Sequence, residues 1–285
     1  MRLEGKVVFI TGAARGQGRS HAVRLAEEGA DIIAVDICDT IDSVPYAMPA
    51  KADLDQTVKE VEARGGRIVA RVADVRSRDQ LADALKAGLD TLGRLDVVCA
   101  NAGVITMNDK YLGESWVDGL DVDLFGVHNT VAVALPHLGE GASIILTGST
   151  AGMIPGLMDD PTMGFGGAAY AWSKRTIASY TEVVARHLAP QFIRINAIHP
   201  TNCDTPLLHH ETVYKSFRPD LEHPTKEDVI PAFATMQAMP IPYVDPEDVS
   251  NLVVYLASDE SRYFTGQNLR VDAGAMLKAG SPFGG

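Results

Sequence analysis

Seven short, almost uninterrupted apolar runs recur along the 285-residue chain, and longer amphipathic stretches separate most of them. They span 6–11 (KVVFIT), 31–36 (DIIAVD), 67–72 (RIVARV), 95–100 (LDVVCA), 142–147 (ASIILT), 192–197 (FIRINA) and 267–271 (QNLRV). A strand with one solvated face alternates apolar and polar residues. Runs this continuous belong to parallel strands covered on both faces. Helical candidates lie near 17–29, 53–64, 77–92, 114–136, 170–188 and 246–257, and Asp245-Pro246-Glu247-Asp248 reads as a cap, a first-turn proline and an acidic first turn. The alternation predicts an α/β fold in one Rossmann-type domain over residues 1–285. A doubly wound, parallel, seven-stranded sheet carries helices on both faces and binds ligands beyond the carboxyl ends of its strands. Three stretches interrupt the alternation: 37–52, the Gly- and Pro-containing 151–169, and 199–245 with seven prolines. Long excursions on one rim are usually functional, and the last of these, at about 200–245, is read as a substrate loop.

Composition narrows the partners. With 46% apolar and 22% charged residues the chain is not a disordered one, and a net charge of −12 argues against nucleic acid and anionic membranes. Cys38, Cys99 and Cys203 are odd in number and never in CxxC spacing, which fits a reducing cytosol without disulfides or a zinc site. No run approaches 18 apolar residues, and MRLEGKVVFI lacks the marks of a signal peptide, so a soluble, cytoplasmic protein is expected. The adjacent His209 and His210, without HExxH spacing, are read as surface or pocket-rim residues, and no metal is expected.

The first run leads into Thr11-Gly12-Ala13-Ala14-Arg15-Gly16-Gln17-Gly18 and then a helical segment. Glycines let backbone approach a pyrophosphate, and a helix N-terminus offers free N–H groups and a positive dipole. Asp36, at the end of the second run, stands where a carboxylate accepts hydrogen bonds from an adenosine ribose. The same carboxylate repels a 2′-phosphate, so NAD is expected over NADP. Arg15 pulls the other way, at longer range. Asp74-Val75 either meets the adenine edge or begins a helix as its N-cap.

Tyr170-Ala-Trp-Ser-Lys174 places a phenol and an ammonium four residues apart on one helical face. A phenol with a pKa of ~10 is a poor base at neutral pH, and a nearby cation stabilises its phenolate.

With these motifs in hand, the chain resembles the compact branch of the short-chain dehydrogenase/reductase family. The resemblance runs through TGAARGQG, Asp74-Val75, Asn101-Ala102-Gly103, Ser149, YAWSK, His199-Pro200-Thr201 and the closing Thr265-Gly266-Gln267 and Val271-Asp272-Ala273-Gly274. It implies hydride transfer between a secondary alcohol and NAD. Tyr170 is then the acid/base, Lys174 lowers its pKa and bonds the nicotinamide ribose, and Ser149, with Thr150 as the alternative, holds the substrate oxygen. The resemblance also implies that Asn101, Ala102 and Gly103 line the cleft while Pro200, Thr201, Asn202 and Thr205 position the nicotinamide. Asp123 departs from the pattern, because the family usually has asparagine there, and it is left out of the catalytic set. Within the family, residues 11–38 (TGAARGQGRSHAVRLAEEGADIIAVDIC) and the insertion after them look like the carveol dehydrogenase-like, mycofactocin-associated group. That likeness implies a poorly exchanging NAD and an external redox acceptor, with the Pro45–Pro49 insertion either folding over the adenosine end or remaining a solvated loop. Met153, Met158, Met163, Met236 and Met239 are expected to line an apolar pocket suited to an alicyclic or terpene-like alcohol. Family members usually form homotetramers, and the C-terminal AMLKAGSPFGG is a candidate for reaching a neighbouring subunit. An NADPH-dependent ketone reductase and a non-catalytic NAD-binding redox sensor are the competing functions.

Overall fold

The computed structural model describes residues 1–279. The strands fall on the apolar runs: β1 (Val7–Thr11), β2 (Asp31–Asp36), β3 (Ile68–Val72), β4 (Val97–Ala100), β5 (Ser143–Thr147), β6 (Arg194–Pro200) and β7 (Asn268–Val271). All neighbours are parallel, in the order β3-β2-β1-β4-β5-β6-β7. Strand order therefore reverses between β1 and β4, and a crevice opens there at the carboxyl ends.

The helices are α1 (Gly16–Glu27), α2 (Lys51–Glu62), α3 (Arg78–Leu92), α4 (Leu112–Leu120), α5 (Gly126–Ala134), α6 (Gly164–Leu188), α7 (Glu211–Phe217), α8 (Lys226–Met236), α9 (Pro246–Ala257) and α10 (Ala275–Lys278). Alternate residues of each central strand go to opposite layers. Val8, Ile10, Ile32 and Ala34 pack with Leu25 of α1, Leu54 of α2 and Val253 of α9. Val7, Phe9, Ile33 and Val35 pack with Leu81 of α3, Val131 of α5 and Ile177 of α6. Both faces are covered, so both parities must be apolar. Burying each such side chain contributes roughly 1.5–3 kcal/mol, which is why the runs have no alternation. A third cluster, with Ile105, Leu208, Val213, Val229 and Phe233, lies under the last excursion.

Three expectations change. The helix expected over 114–136 is α4, a single π turn at Asp121–Phe125, and α5. The helix expected from 170 begins at Gly164, because its glycines serve packing: a Cβ on Gly166 would lie 2.1 Å from the Thr106 carbonyl oxygen. The excursion at 199–245 contains α7 and α8; an internal Pro231 disguises α8, whose start is fixed by a Thr225/Asp228 capping box. Of the C-terminal AMLKAGSPFGG, residues 280–285 lie outside the described residues. Among the described residues no helix is long and apolar enough to cross a membrane.

Candidate active site

One cavity at the β1/β4 crevice is lined by Gly12, Arg15, Gly16, Gln17 and Gly18, by Asp36, Asp74 and Val75, and by Asn101, Ala102 and Gly103. It continues to Ser149, Tyr170, Lys174, Pro200, Thr201, Asn202 and Thr205. The residues singled out from the sequence for the coenzyme and for the reaction thus line one cavity. At the glycine end, no side chain caps α1, so its first N–H groups are free to face an anion. Gly18 cannot be replaced there without moving the loop, because a Cβ would sit 2.0 Å from the Gly12 carbonyl oxygen. This close-packed turn with an uncapped helix end fits a pyrophosphate.

Asp36 is buried at the end of β2, and its carboxylate accepts the Ala14 N–H at 2.9 Å and the Cys38 N–H at 3.3 Å. Burial raises its pKa, while these N–H groups and nearby Arg15 oppose the rise. The Asp74 carboxylate instead pairs with Arg76, at 2.8 Å from Nε. Its reading as an N-cap is not what forms: Ser77 caps α3, accepting the Gln80 N–H. Asn101 braces the glycine loop by donating Nδ2 to the Thr11 carbonyl at 3.1 Å.

At the other end, Ser149 follows β5 and the Tyr170–Lys174 turn projects from α6. Burial pushes the Tyr170 phenol above its ordinary pKa, the Asp123 charge adds to this, and Ser149 hydrogen bonding opposes it. Lys174 Nζ lies 5.5 Å from the Tyr170 ring centroid and donates to the Thr147 carbonyl at 3.0 Å. Burial lowers the lysine pKa and Asp123, whose Oδ1 is 3.8 Å away, raises it. Thr150, the alternative to Ser149, donates its hydroxyl to the Pro200 carbonyl at 3.2 Å. His199 accepts the Ser149 N–H at 3.2 Å through Nδ1 and meets Asn268 Oδ1 at 2.9 Å through Nε2, which selects the Nε2-protonated tautomer. A phenol, a hydroxyl and a cation at one end, and an uncapped helix N-terminus beside a buried carboxylate at the other, are groups suited to proton-coupled chemistry on a dinucleotide.

The family model described as enoyl-(acyl carrier protein) reductase matches residues 12–276. A putative short-chain type dehydrogenase/reductase of Mycolicibacterium smegmatis is 48% identical, covering 97% of this chain and 99% of the relative. The chain belongs to the short-chain dehydrogenase/reductase family. Within it, the chain is similar to (−)-trans-carveol dehydrogenase of Rhodococcus erythropolis, at 42% identity over 97% of this chain and 99% of the relative. Its fold is similar to a crystal structure of carveol dehydrogenase from Mycobacterium avium in complex with NAD, with a TM-score of 0.90 and 43% identity over 97% of this chain and 99% of that one.

Several features of this short-chain dehydrogenase were not singled out in its sequence. Tyr46 reaches from the insertion across the cleft. Its phenol accepts the Ile105 N–H at 3.3 Å, and its ring lies 4.6 Å from that of His210. The signal was an aromatic residue between the prolines of the insertion. His210 is accordingly buried rather than on a rim, and His209 is tied to Asp204 at 2.6 Å and Tyr214 at 2.9 Å. Met158, Met163 and Met236 line the cavity. Met153 lines a separate depression and Met239 is exposed, because the excursions turn these two outward. Among the described residues no group of three or more His, Cys, Asp or Glu side chains is arranged to hold a metal ion.

Proposed function

We propose that this short-chain dehydrogenase oxidises an apolar secondary alcohol, alicyclic or terpene-like and of the carveol type, to its ketone with NAD. One observation carries the reading: Ser149, Tyr170 and Lys174 converge in the cavity whose far end holds the uncapped α1 N-terminus and Asp36. Bound NAD supplies the carbon that takes the hydride. Ser149 holds the alcohol oxygen and stabilises charge developing on it, and Tyr170 takes the hydroxyl proton. Lys174 stabilises the phenolate and holds the nicotinamide ribose, while Thr201, Asn202 and Thr205 orient the nicotinamide. Ile105, Met107, Leu157, Met158, Leu208, Val213 and Phe217 give the substrate end an apolar wall, suited to a hydrocarbon ring more than to a charged metabolite. Asp36 favours NAD over NADP.

The insertion after β2 closes over the coenzyme and slows its exchange, so an external acceptor of the mycofactocin type reoxidises it in place. The support is its ties across the cleft: Tyr46 to Ile105, Ser43 Oγ to Asp118 at 2.7 Å, and Asn108 Nδ2 to the Asp42 carbonyl at 3.3 Å. Exposed Val117, Phe125, Phe165 and Trp172 on the α4–α6 side support a homotetramer, and three free cysteines fit the cytoplasm.

The test is a panel of apolar secondary alcohols and ketones with wild type and Tyr170→Phe. Wild type should oxidise members of the panel with NAD, and the variant should lose roughly 10²-fold or more, the typical contribution of a positioned acid/base. No turnover of any member, or equal rates in both proteins, would overturn the reading.

A further inference from the structure

Gln237 directly follows α8 and is fully buried. Its Nε2 donates to Thr201 Oγ1 at 3.1 Å and faces the Pro242 carbonyl oxygen at 3.5 Å. Its Oε1 is shielded from solvent and has no hydrogen-bond partner among the described residues. A buried amide with an orphaned oxygen is a cost to the fold, and an apolar side chain of the same length would serve packing better. What the amide supplies in return is its donor.

That donor has a fixed direction. The Pro242 carbonyl can only accept, so the end of the amide that faces it is the NH₂ group. The same group reaches Thr201, whose hydroxyl is therefore the acceptor in their bond. A hydroxyl carries one proton, and among the described residues Thr201 gives its own to no partner. Thr201 follows β6, has its N–H held by the Val271 carbonyl at 3.1 Å, is nearly buried and lines the cavity. Its proton is the group left to be satisfied there, and a hydroxyl that accepts one bond donates the next more strongly. The amide itself cannot drift. Asn202 Nδ2 meets Met236 Sδ at 3.8 Å just before it, and the Ala238 and Met239 N–H groups just after it both donate to the Ala273 carbonyl at 3.0 Å.

We propose that Gln237 is a positioning residue for the coenzyme. By donating to Thr201 it commits the Thr201 hydroxyl to donate in turn to the carbonyl oxygen of the nicotinamide carboxamide, which fixes the way that carboxamide turns. Gln237 touches neither coenzyme nor substrate. The proposal rests on the NAD-dependent reading above and adds the polarity of one contact. Met236, its neighbour in the chain, lines the cavity, so one segment both walls the cavity and sets the orientation of the coenzyme.

The experiment reads binding and a spectrum rather than turnover. Two coenzyme analogues are set to displace labelled NAD at equilibrium. The 3-acetylpyridine analogue keeps the carbonyl and lacks the NH₂ group; the thionicotinamide analogue keeps the NH₂ group and carries sulfur, a weak acceptor, in place of oxygen. In wild type the sulfur should weaken binding roughly 2- to 12-fold, the worth of one hydrogen bond, and the loss of NH₂ should cost less. Infrared spectra of bound NAD labelled with ¹³C at the carboxamide carbon should place the carbonyl band lower in wild type than in Thr201→Val. Gln237→Met should move the band toward the Thr201→Val position and should move it no further when added to Thr201→Val, whereas a merely structural role would leave it in place. Equal bands in wild type and Thr201→Val, a band unmoved by Gln237→Met, or better binding of the sulfur analogue than of the acetyl one would overturn the proposal. If Gln237→Met does not fold, the analogue comparison and Thr201→Val decide. A protein that binds no NAD refutes the dehydrogenase reading and this proposal with it, whereas NAD bound without these responses refutes the proposal alone.

Discussion

If the insertion retains NAD, its hold is concentrated at Tyr46. The phenol oxygen accepts the Ile105 N–H, the ring lies 4.6 Å from His210 at a 30° tilt, and the Arg15 guanidinium sits 5.9 Å from the ring centroid. An insertion swung open keeps none of these contacts, so their loss falls on the closed form alone. Tyr46→Phe removes only the hydrogen bond, worth about 0.5–1.5 kcal/mol, and should speed NAD release by roughly 2- to 12-fold. Tyr46→Ala also removes the stack, worth about 0.5–1.5 kcal/mol, and the cation–π contact, worth about 0.5–1 kcal/mol. The sum is about 1.5–4 kcal/mol, which corresponds to release roughly 10- to 900-fold faster, because differences among variants of one site lie mostly in the off-rate. The assay loads each protein with labelled NAD, adds excess unlabelled NAD, and follows retained label after rapid gel filtration. A graded series, wild type slowest and Tyr46→Ala fastest, is the expected result. Equal release from all three proteins, each with an unchanged circular dichroism spectrum, would refute the argument and leave the insertion an ornament of the rim.

Other consequences follow from single positions. Asp36→Asn keeps an acceptor for the Ala14 N–H but loses the charge that repels a 2′-phosphate; the ratio of kcat/KM for NAD over NADP should fall at least tenfold (about 1.4 kcal/mol), and an unchanged ratio would contradict the coenzyme assignment. Gly18→Ala forces a Cβ into the Gly12 carbonyl, so NAD binding in a calorimetric titration should be lost while the far-ultraviolet spectrum is retained. His21 is buried, with Nδ1 2.8 Å from Ser250 Oγ, and burial lowers its pKa from 6.5 to about 3. A depressed pKa means that its contribution is intact above pH 6.5 and is lost as pH falls toward 3. Chemical denaturation at stepped pH should therefore show stability dropping by about 1.4 kcal/mol per unit below 6.5 from this residue, and His21→Asn should flatten the slope.

The sheet was legible because its signal is local. A strand buried on both faces must be apolar at both parities, and β1 to β5 each begin within two residues of their apolar runs. The placement of the glycine loop and the Tyr170–Lys174 turn was legible for a related reason: each motif sits within one short segment. What escaped depends on contacts distant in sequence. Tyr46 owes its place to Ile105 and His210, residues that no pattern within the insertion encodes. The helix α8 carries a proline in its interior and is held by packing of Val229 and Phe233 with Val213 of α7 and with Ile105, so a tertiary cluster overrides weak local preference. Asp123 looked like an isolated departure. Its pairing with Lys174 arises from a π turn, one residue out of step with the helical period on which the sequence reading rested.

The central claim, an alcohol dehydrogenase that works on an NAD it keeps, meets its most direct test in a single-turnover measurement. The purified protein, dialysed and given no coenzyme, is mixed with alicyclic secondary alcohols, carveol among them, while reduced-nicotinamide absorbance is recorded. The account predicts a rise that stops at one equivalent per subunit and resumes only when an external electron acceptor is supplied. No rise until free NAD is added, followed by steady turnover, would contradict retention and describe an ordinary, freely exchanging dehydrogenase.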